Sequence, residues 1–301
     1  MADAMSVKAD DLRYLAAVVS TGRLTQAARA LGVDHSTVSR RLRALEQALG
    51  TRLLQRIDEG WELTEAGRSV IEQARAVERA VGSAVRAVGV SDPEVLTGAV
   101  RITAADGFGA LVVTPAMAYV RRQHPALRIE LVTGARELTL RDTSFDIAVT
   151  PGAPPPATRL FTERLCEYDN EFYASHEYLE RHGNPQSLDE LAEHPIISFV
   201  ESVEKIREID LSRIAPRATV RFSSNNIFAQ LEAIRRGMGI GLLGKFVASS
   251  APELQPIAAY IPPARVLVTL AVRRDALRRP EIQVVREALH REVRLRRSDL
   301  V

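Results

Sequence analysis

Between residues 24 and 46 the apolar positions fall into two short helical registers separated by a glycine. In LTQAARALGVDHSTVSRRLRALE, Ala27, Ala28 and Leu31 share one face of a helix predicted over Leu24 to Leu31. Gly32 comes next and can take a positive φ, so the chain can turn sharply there. Asp34 stands where an N-cap belongs, ahead of His35-Ser36-Thr37. Val38, Leu42 and Leu45 then recur at i, i+4 and i+7, the buried stripe of a second helix. The small Ala28 lets the helices cross closely, Gly32 turns the chain and Val38 fills the gap beneath, which is a helix-turn-helix. The opposite face of the second helix carries His35, Ser36, Ser39, Arg40 and Arg43, with Thr37 in its first turn. These hydrogen-bonding and cationic groups suit base edges and phosphates. The alternative is a solvated helical hairpin with one charged face.

The residues after Glu46 favour the helix-turn-helix. Arg52 to Thr64 reads as a hairpin turning at Asp58-Glu59-Gly60, and Thr64 with Ala66-Gly67 opens another helix, so the motif is winged. In the next helix, Ala66 to Val88, the residues Val70, Ala74, Val77, Val81, Ala84 and Val88 step alternately by four and three. That is a heptad seam, expected to pair two copies of the chain through Val70, Ala74, Val77, Val81 and Val88. GVSDPEVLTG then reads as a hinge loop. From residue 99 strands and helices alternate: AVRITA, LRIELVTG, FDIAVT, PIISFV, ATVRFSS and RVLVTLAVR as strands, FGALVVTPAMAYVRRQHP, NNIFAQLEAIRRGMG and PEIQVVREALHREVRLRR as helices. The alternation predicts an α/β domain with a parallel sheet.

Composition narrows the class without choosing a function. The 301 residues are 46% hydrophobic and 26% charged, as in ordinary globular chains. The formal charge of +2 does not argue for nucleic acid, but its distribution does: residues 35 to 56 hold Arg40, Arg41, Arg43, Arg52 and Arg56 against Glu46 alone. No apolar run reaches the ~18 residues of a membrane span, and MADAMSVKADDLRYL lacks the apolar core of a secretion signal. Cys166 is the single cysteine, so no intramolecular disulfide forms and a cytoplasmic location is expected. It reads as an inert thiol and not a redox sensor, because no second cysteine resolves it. The six histidines show no metal-ligand spacing, and no Ser, His and acid set is placed for catalysis. Neither enzyme, metal nor cofactor is expected. GMGIG at 237–241 comes after a helix and lacks a lysine, so it reads as a turn and not a phosphate loop.

AARALGVDHSTVSRRLRALEQALGTRLLQR…ELTEAG closely resembles the N-terminal domain of LysR-type transcriptional regulators. Ala27, Ala28, Leu31, Val38, Ser39, Leu42, Leu45, Glu46, Leu49, Gly50, Leu53, Leu54, Arg56, Leu63, Thr64 and Gly67 all fall in one register. The family often has Gln-Pro where this chain has His35-Ser36, which implies a base preference of its own. Its wing tip is usually basic or neutral, whereas Asp58-Glu59 would repel phosphates, leaving Arg52 and Arg56 to grip the backbone. The resemblance implies a winged helix-turn-helix over 1–66, a linker helix and hinge over 67–96, and a periplasmic-binding-protein-like α/β effector domain over 97–301. Subdomain I would take about 97–164 and 271–301, and subdomain II about 165–270. It implies double-stranded DNA with a dyad-like operator, a small-molecule effector of unknown identity, a homodimer or homotetramer, and RNA polymerase as a further candidate partner. The effector cleft is expected at the carboxyl ends of the strands, with Ala105, Asp106, Arg136, Thr150, Phe199, Ser223 and Asn225 as candidate contacts. Asp106 would repel an anion and Arg136 would attract one, so the effector's charge stays open. A solute-binding protein, an α/β enzyme and a bare architectural DNA binder are the other classes; the helix-turn-helix and the missing secretion signal argue against the first, no reaction centre supports the second, and the third would not need two hundred residues of α/β domain.

Overall fold

The computed structural model describes residues 7–57, 60–87, 96–134, 145–152, 159–200, 206–258 and 260–301, with side chains at all of these except 20, 72, 78, 79 and 82–87. The chain divides into two units, Met1–Val95 and Leu96–Val301.

The first unit begins with a helix that the sequence pattern did not announce, α1 (Ala9–Thr21). Its apolar face, with Leu15 and Val18 fully buried, sits behind an acidic start that disguises it. Asp10 and Asp11 lie in its first turn, where the helix dipole favours negative charge. Next come α2 (Leu24–Leu31) and α3 (His35–Leu49). Gly32 turns the chain at φ +64°, and the Val33 amide donates to the Ala28 carbonyl at 3.0 Å. Asp34 stands in extended backbone ahead of α3, but its side chain makes no capping bond; its carbonyl accepts from the Thr37 amide instead, at 2.9 Å. Ala27 of α2 and Val38 and Leu45 of α3 join Leu15 and Val18 in one core.

β1 (Leu54–Ile57) and β2 (Gly60–Leu63) pair antiparallel, Leu54 opposite Leu63 and Ile57 opposite Gly60. Asp58 and Glu59 lie outside the described residues. The long α4 (Glu65–Ala87) packs against α1. Two residues of the expected seam, Val70 and Ala74, pack within this unit. Ala74 is fully buried with Ile71 in the core that holds Leu15, and Val70 packs against it. The first turns of α4 therefore serve their own unit, because α1 supplies an apolar face that the heptad argument left out. Val77 is half-buried, Val81 is 40% exposed, and Val88 lies outside the described residues.

The second unit runs β3 (Gly98–Ala104), α5 (Asp106–Phe108), a π-helical stretch (Gly109–Val113), α6 (Thr114–Gln123), β4 (Leu127–Thr133), β5 (Ile147–Pro151) and β6 (Leu160–Ser175). It continues with α7 (His176–His182), α8 (Leu188–Glu193), β7 (Pro195–Ser198), α9 (Leu211–Ile214), β8 (Thr219–Ser223) and α10 (Ile227–Arg235). Last come β9 (Ile240–Gly244), α11 (Lys245–Ala248), β10 (Leu254–Ile257), β11 (Ala264–Arg273), α12 (Pro280–Leu295) and α13 (Arg297–Leu300). GMGIG forms the turn from α10 into β9. The strand order is β4-β3-β5-β11-β6-β9-β7-β8, with β10 beside β6.

The sheet is mixed, not parallel throughout. β3 pairs parallel with β4 and β5, and β7 parallel with β8 and β9, so each end is an α/β lobe. Between them β6 and β11 lie antiparallel from Ala264 opposite Asn170 to Arg273 opposite Leu160. The reason is connectivity: the chain leaves the first lobe along β6 and returns to it along β11, so the two strands must oppose each other. A buried ion pair fastens the first lobe, with Arg279 Nη1 on Asp146 Oδ1 at 2.8 Å while Asp146 Oδ2 accepts the Arg101 amide at 3.0 Å.

The join between the hairpin and α4 has no spare room. The Thr64 hydroxyl donates to the Arg52 carbonyl at 2.7 Å and accepts the Gly67 amide at 3.0 Å. A Cβ on Gly67 would stand 2.0 Å from the Leu53 carbonyl oxygen. Gly67→Ala is therefore expected to destabilise the first unit by roughly 1–3 kcal/mol, seen as a lower melting temperature; an unchanged melting curve would refute the tight packing.

Candidate nucleic-acid interface

α3 is amphipathic in the sense that decides its use. Val38, Leu42 and Leu45 are buried on one side; His35, Ser36, Arg40 and Arg43 are exposed on the other, with Thr37 and Ser39 half-buried between. His35, Ser36, Ser39, Arg40 and Arg43 line one shallow concavity together with Ala44 and Gln47. The last two were not anticipated, although helical spacing contained them: 36, 40, 43, 44 and 47 share one face. Two guanidinium groups and no carboxylate line this surface, so it attracts phosphate and offers donors to base acceptors. Thr37 falls outside that lining. Arg52 and Arg56 are exposed on the hairpin side of the same unit, Arg56 within β1.

One glutamate ties the hairpin to α3. Glu46 Oε1 accepts the amides of Leu53 at 2.8 Å and Leu54 at 3.2 Å. On the other side, the Trp61 amide donates to the Gly22 carbonyl at the end of α1, at 3.2 Å. The hairpin is thus held to α3 by the Glu46 carboxylate and to the end of α1 by a backbone hydrogen bond. Arg41, a member of the basic run, turns the other way: its Nη1 meets Asp11 Oδ1 at 3.2 Å and its guanidinium lies 6.0 Å from the centre of the Tyr14 ring.

In the second unit Ala105 and Asp106 come after β3 at the start of α5 and are half-buried. A Cβ on the adjoining Gly107 would lie 3.3 Å from both Ile227 Cγ2 of α10 and Val247 Cγ2 of α11, so the two lobes abut there. Behind them Phe108, Tyr168 and Phe246 pack with ring centres 5.1–6.2 Å apart. Burial of Tyr168 pushes its hydroxyl up to about 12. Ser223 ends β8 and is exposed, as is Asn225 just before α10. The neighbouring Asn226 is the α10 cap, its Oδ1 accepting the Phe228 amide at 2.8 Å. Thr150 of β5 is half-buried opposite Thr269 of β11, and Phe199 is half-buried just past β7. Arg136 lies outside the described residues.

Cys166 is half-buried on β6, and burial raises its thiol to about 12, so almost no thiolate exists at neutral pH. Among the described residues no three His, Cys, Asp or Glu side chains gather as metal ligands, and no helix is long and apolar enough to cross a membrane.

Glu46→Ala leaves two backbone donors without their acceptor and is expected to cost ~1–3 kcal/mol, read as a lower denaturation midpoint, with Glu46→Gln milder. Native Cys166 should resist iodoacetamide at pH 8 and react fast once the chain is unfolded; rapid alkylation of the native chain would contradict the raised pKa.

Comparison with known proteins places these features. Residues 9–68 match the family described as bacterial regulatory helix-turn-helix protein, lysR family, and residues 93–294 match the LysR substrate binding domain. A probable HTH-type transcriptional regulator, LtrA of Klebsiella pneumoniae, is 28% identical over 256 residues, 84% of this chain and 82% of that protein. A full-length OxyR variant from Pseudomonas aeruginosa superposes with a TM-score of 0.67 at 19% identity, over 94% of this chain and 97% of that one. Full-length CbnR, solved in complex with its target DNA, gives 0.61 at 18% identity, over 95% of this chain and 100% of that one.

Proposed function

The chain belongs to the LysR family of bacterial transcriptional regulators, and on that premise we propose that it reads a dyad-like operator with the outer face of α3 and responds to a small molecule held between the lobes of its second unit. The observation that carries the first half is the single concavity shared by His35, Ser36, Ser39, Arg40 and Arg43. Arg40 and Arg43 reach base edges and phosphates, the hydroxyls of Ser36, Thr37 and Ser39 complete the readout, and Arg52 and Arg56 hold the backbone beside the wing. Recognition of DNA in a LysR-fold protein is exemplified by CbnR bound to its target.

DNA binding then occupies 1–66, connection 67–96, and effector response 97–301. The effector contacts we assign are Ala105, Asp106, Arg136, Thr150, Phe199, Ser223 and Asn225. Support comes from strand ends that share a sheet edge, with Ala104 beside Thr133 in one lobe and Ser198 beside Ser223 in the other. A ligand that prefers one separation of the lobes shifts the population of that state, and so the geometry presented to DNA. The protein works in the cytoplasm as a homodimer or homotetramer, without enzymatic activity, and contacts RNA polymerase at its promoters.

Genome-wide footprinting of the full chain at physiological salt tests the operator reading. A dyad-centred site is expected; protection without sequence preference would sink it. On that site Arg40→Ala is expected to weaken binding by ~1–3 kcal/mol and to relax base preference, and unchanged affinity and preference would move the reading surface elsewhere.

A further inference from the structure

Arg41 is an odd member of the basic run. It is one residue past Arg40, so it sits about 100° further round α3, at the rim of the reading face beside Thr37. A guanidinium on that rim is within a side chain's reach of the phosphates that flank a helix docked in the major groove. Arg41 nevertheless folds back. Its Nη1 meets Asp11 Oδ1 at 3.2 Å, and the Asp11 side chain is only 5% exposed while that of Arg41 is 34% exposed. The hold is incomplete: it is a single contact, not a two-pronged one, and the Arg41 Nε is buried without a hydrogen-bond partner. Tyr14 adds a ring face at 6.0 Å, near the outer limit of a cation–π contact.

We propose that Asp11 is a specificity-determining residue that never touches DNA: it restrains Arg41, withholding from the phosphate backbone a cation that would otherwise grip any sequence. Phosphate contacts carry no base information, and each one raises affinity for operator and random DNA alike. A rim arginine released onto phosphate would raise the background against which the operator must compete. Held by Asp11, Arg41 instead fixes α3 against α1 and leaves recognition to Arg40 and Arg43. The inference rests on the reading of α3 as the DNA-facing helix.

The test uses the full chain and a labelled random-sequence duplex, with binding measured across a salt series. Arg41→Gln is expected to leave the slope of log affinity against log salt unchanged, because Arg41 makes no phosphate contact in the native protein. Asp11→Asn is expected to steepen that slope by about 0.9 and to raise non-specific affinity roughly three- to tenfold, through one added phosphate contact. The double variant, Asp11→Asn with Arg41→Gln, should return to the native slope. A slope made shallower by Arg41→Gln overturns the proposal, since Arg41 would then already grip DNA. So does an Asp11→Asn protein that melts as a folded chain with the native slope. If Asp11→Asn fails to fold, Asp11→Ser is read in its place, with the same steeper slope expected and the native slope overturning the proposal. Arg40→Ala is the control for the underlying reading: if it too leaves the slope unchanged, α3 does not face DNA, and that failure is distinct from the failure of the Asp11 restraint.

Discussion

Val38, Leu42 and Leu45 must leave water together, and most of the first unit depends on that. They can do so only by lying against α1 and α2, which turns the opposite face of α3 outward and leaves it polar. The helix has no freedom to roll, because Leu45 and Val38 are fully buried and Glu46 takes two backbone amides from the strand side. The exposed polar face of α3 is thus what remains of a packing problem solved on the other side of the same helix.

Sequence made α3 legible because its period and its turn are local. The stripe at 38, 42 and 45, the glycine at 32 and the exposed arginines are all set within one turn or two of themselves. α1 escaped because its evidence is not local in that way. Its start is dominated by Asp10, Asp11 and Arg13, and its apolar residues acquire meaning only once α4 and α3 are there to cover them. The same omission hid what the start of the seam packs against. Val70 and Ala74 do form a heptad step, but a heptad step states only that a face is apolar, not whose apolar face it meets. Arg41 is the counterpart among charges: a composition count credits it to DNA, and only the fold shows that Asp11, thirty residues earlier, already holds it.

The second unit was legible as alternating strands and helices but not as a mixed sheet. Hydrophobic alternation carries no sign of strand direction, so β6 and β11 read like any other buried strands. Their direction is fixed by the order in which the chain visits the two lobes. Candidate effector residues were harder still, because a serine or asparagine beside a helix start is first of all a cap. Asn226 fulfils that role here, while Asn225 one position earlier does not carry the α10 capping bonds.

The lobes are joined by something other than a flexible loop. β6 and β11 are hydrogen-bonded to each other along their shared length, with a register shift between Val268 and Thr269, and each continues into a lobe at either end. A connection of that kind resists sliding, because sliding would break the ladder, yet it yields to changes of twist about the strand direction. The register shift between Val268 and Thr269 marks the irregular point of that ladder. A change of twist along that ladder would turn one lobe against the other rather than open and close them.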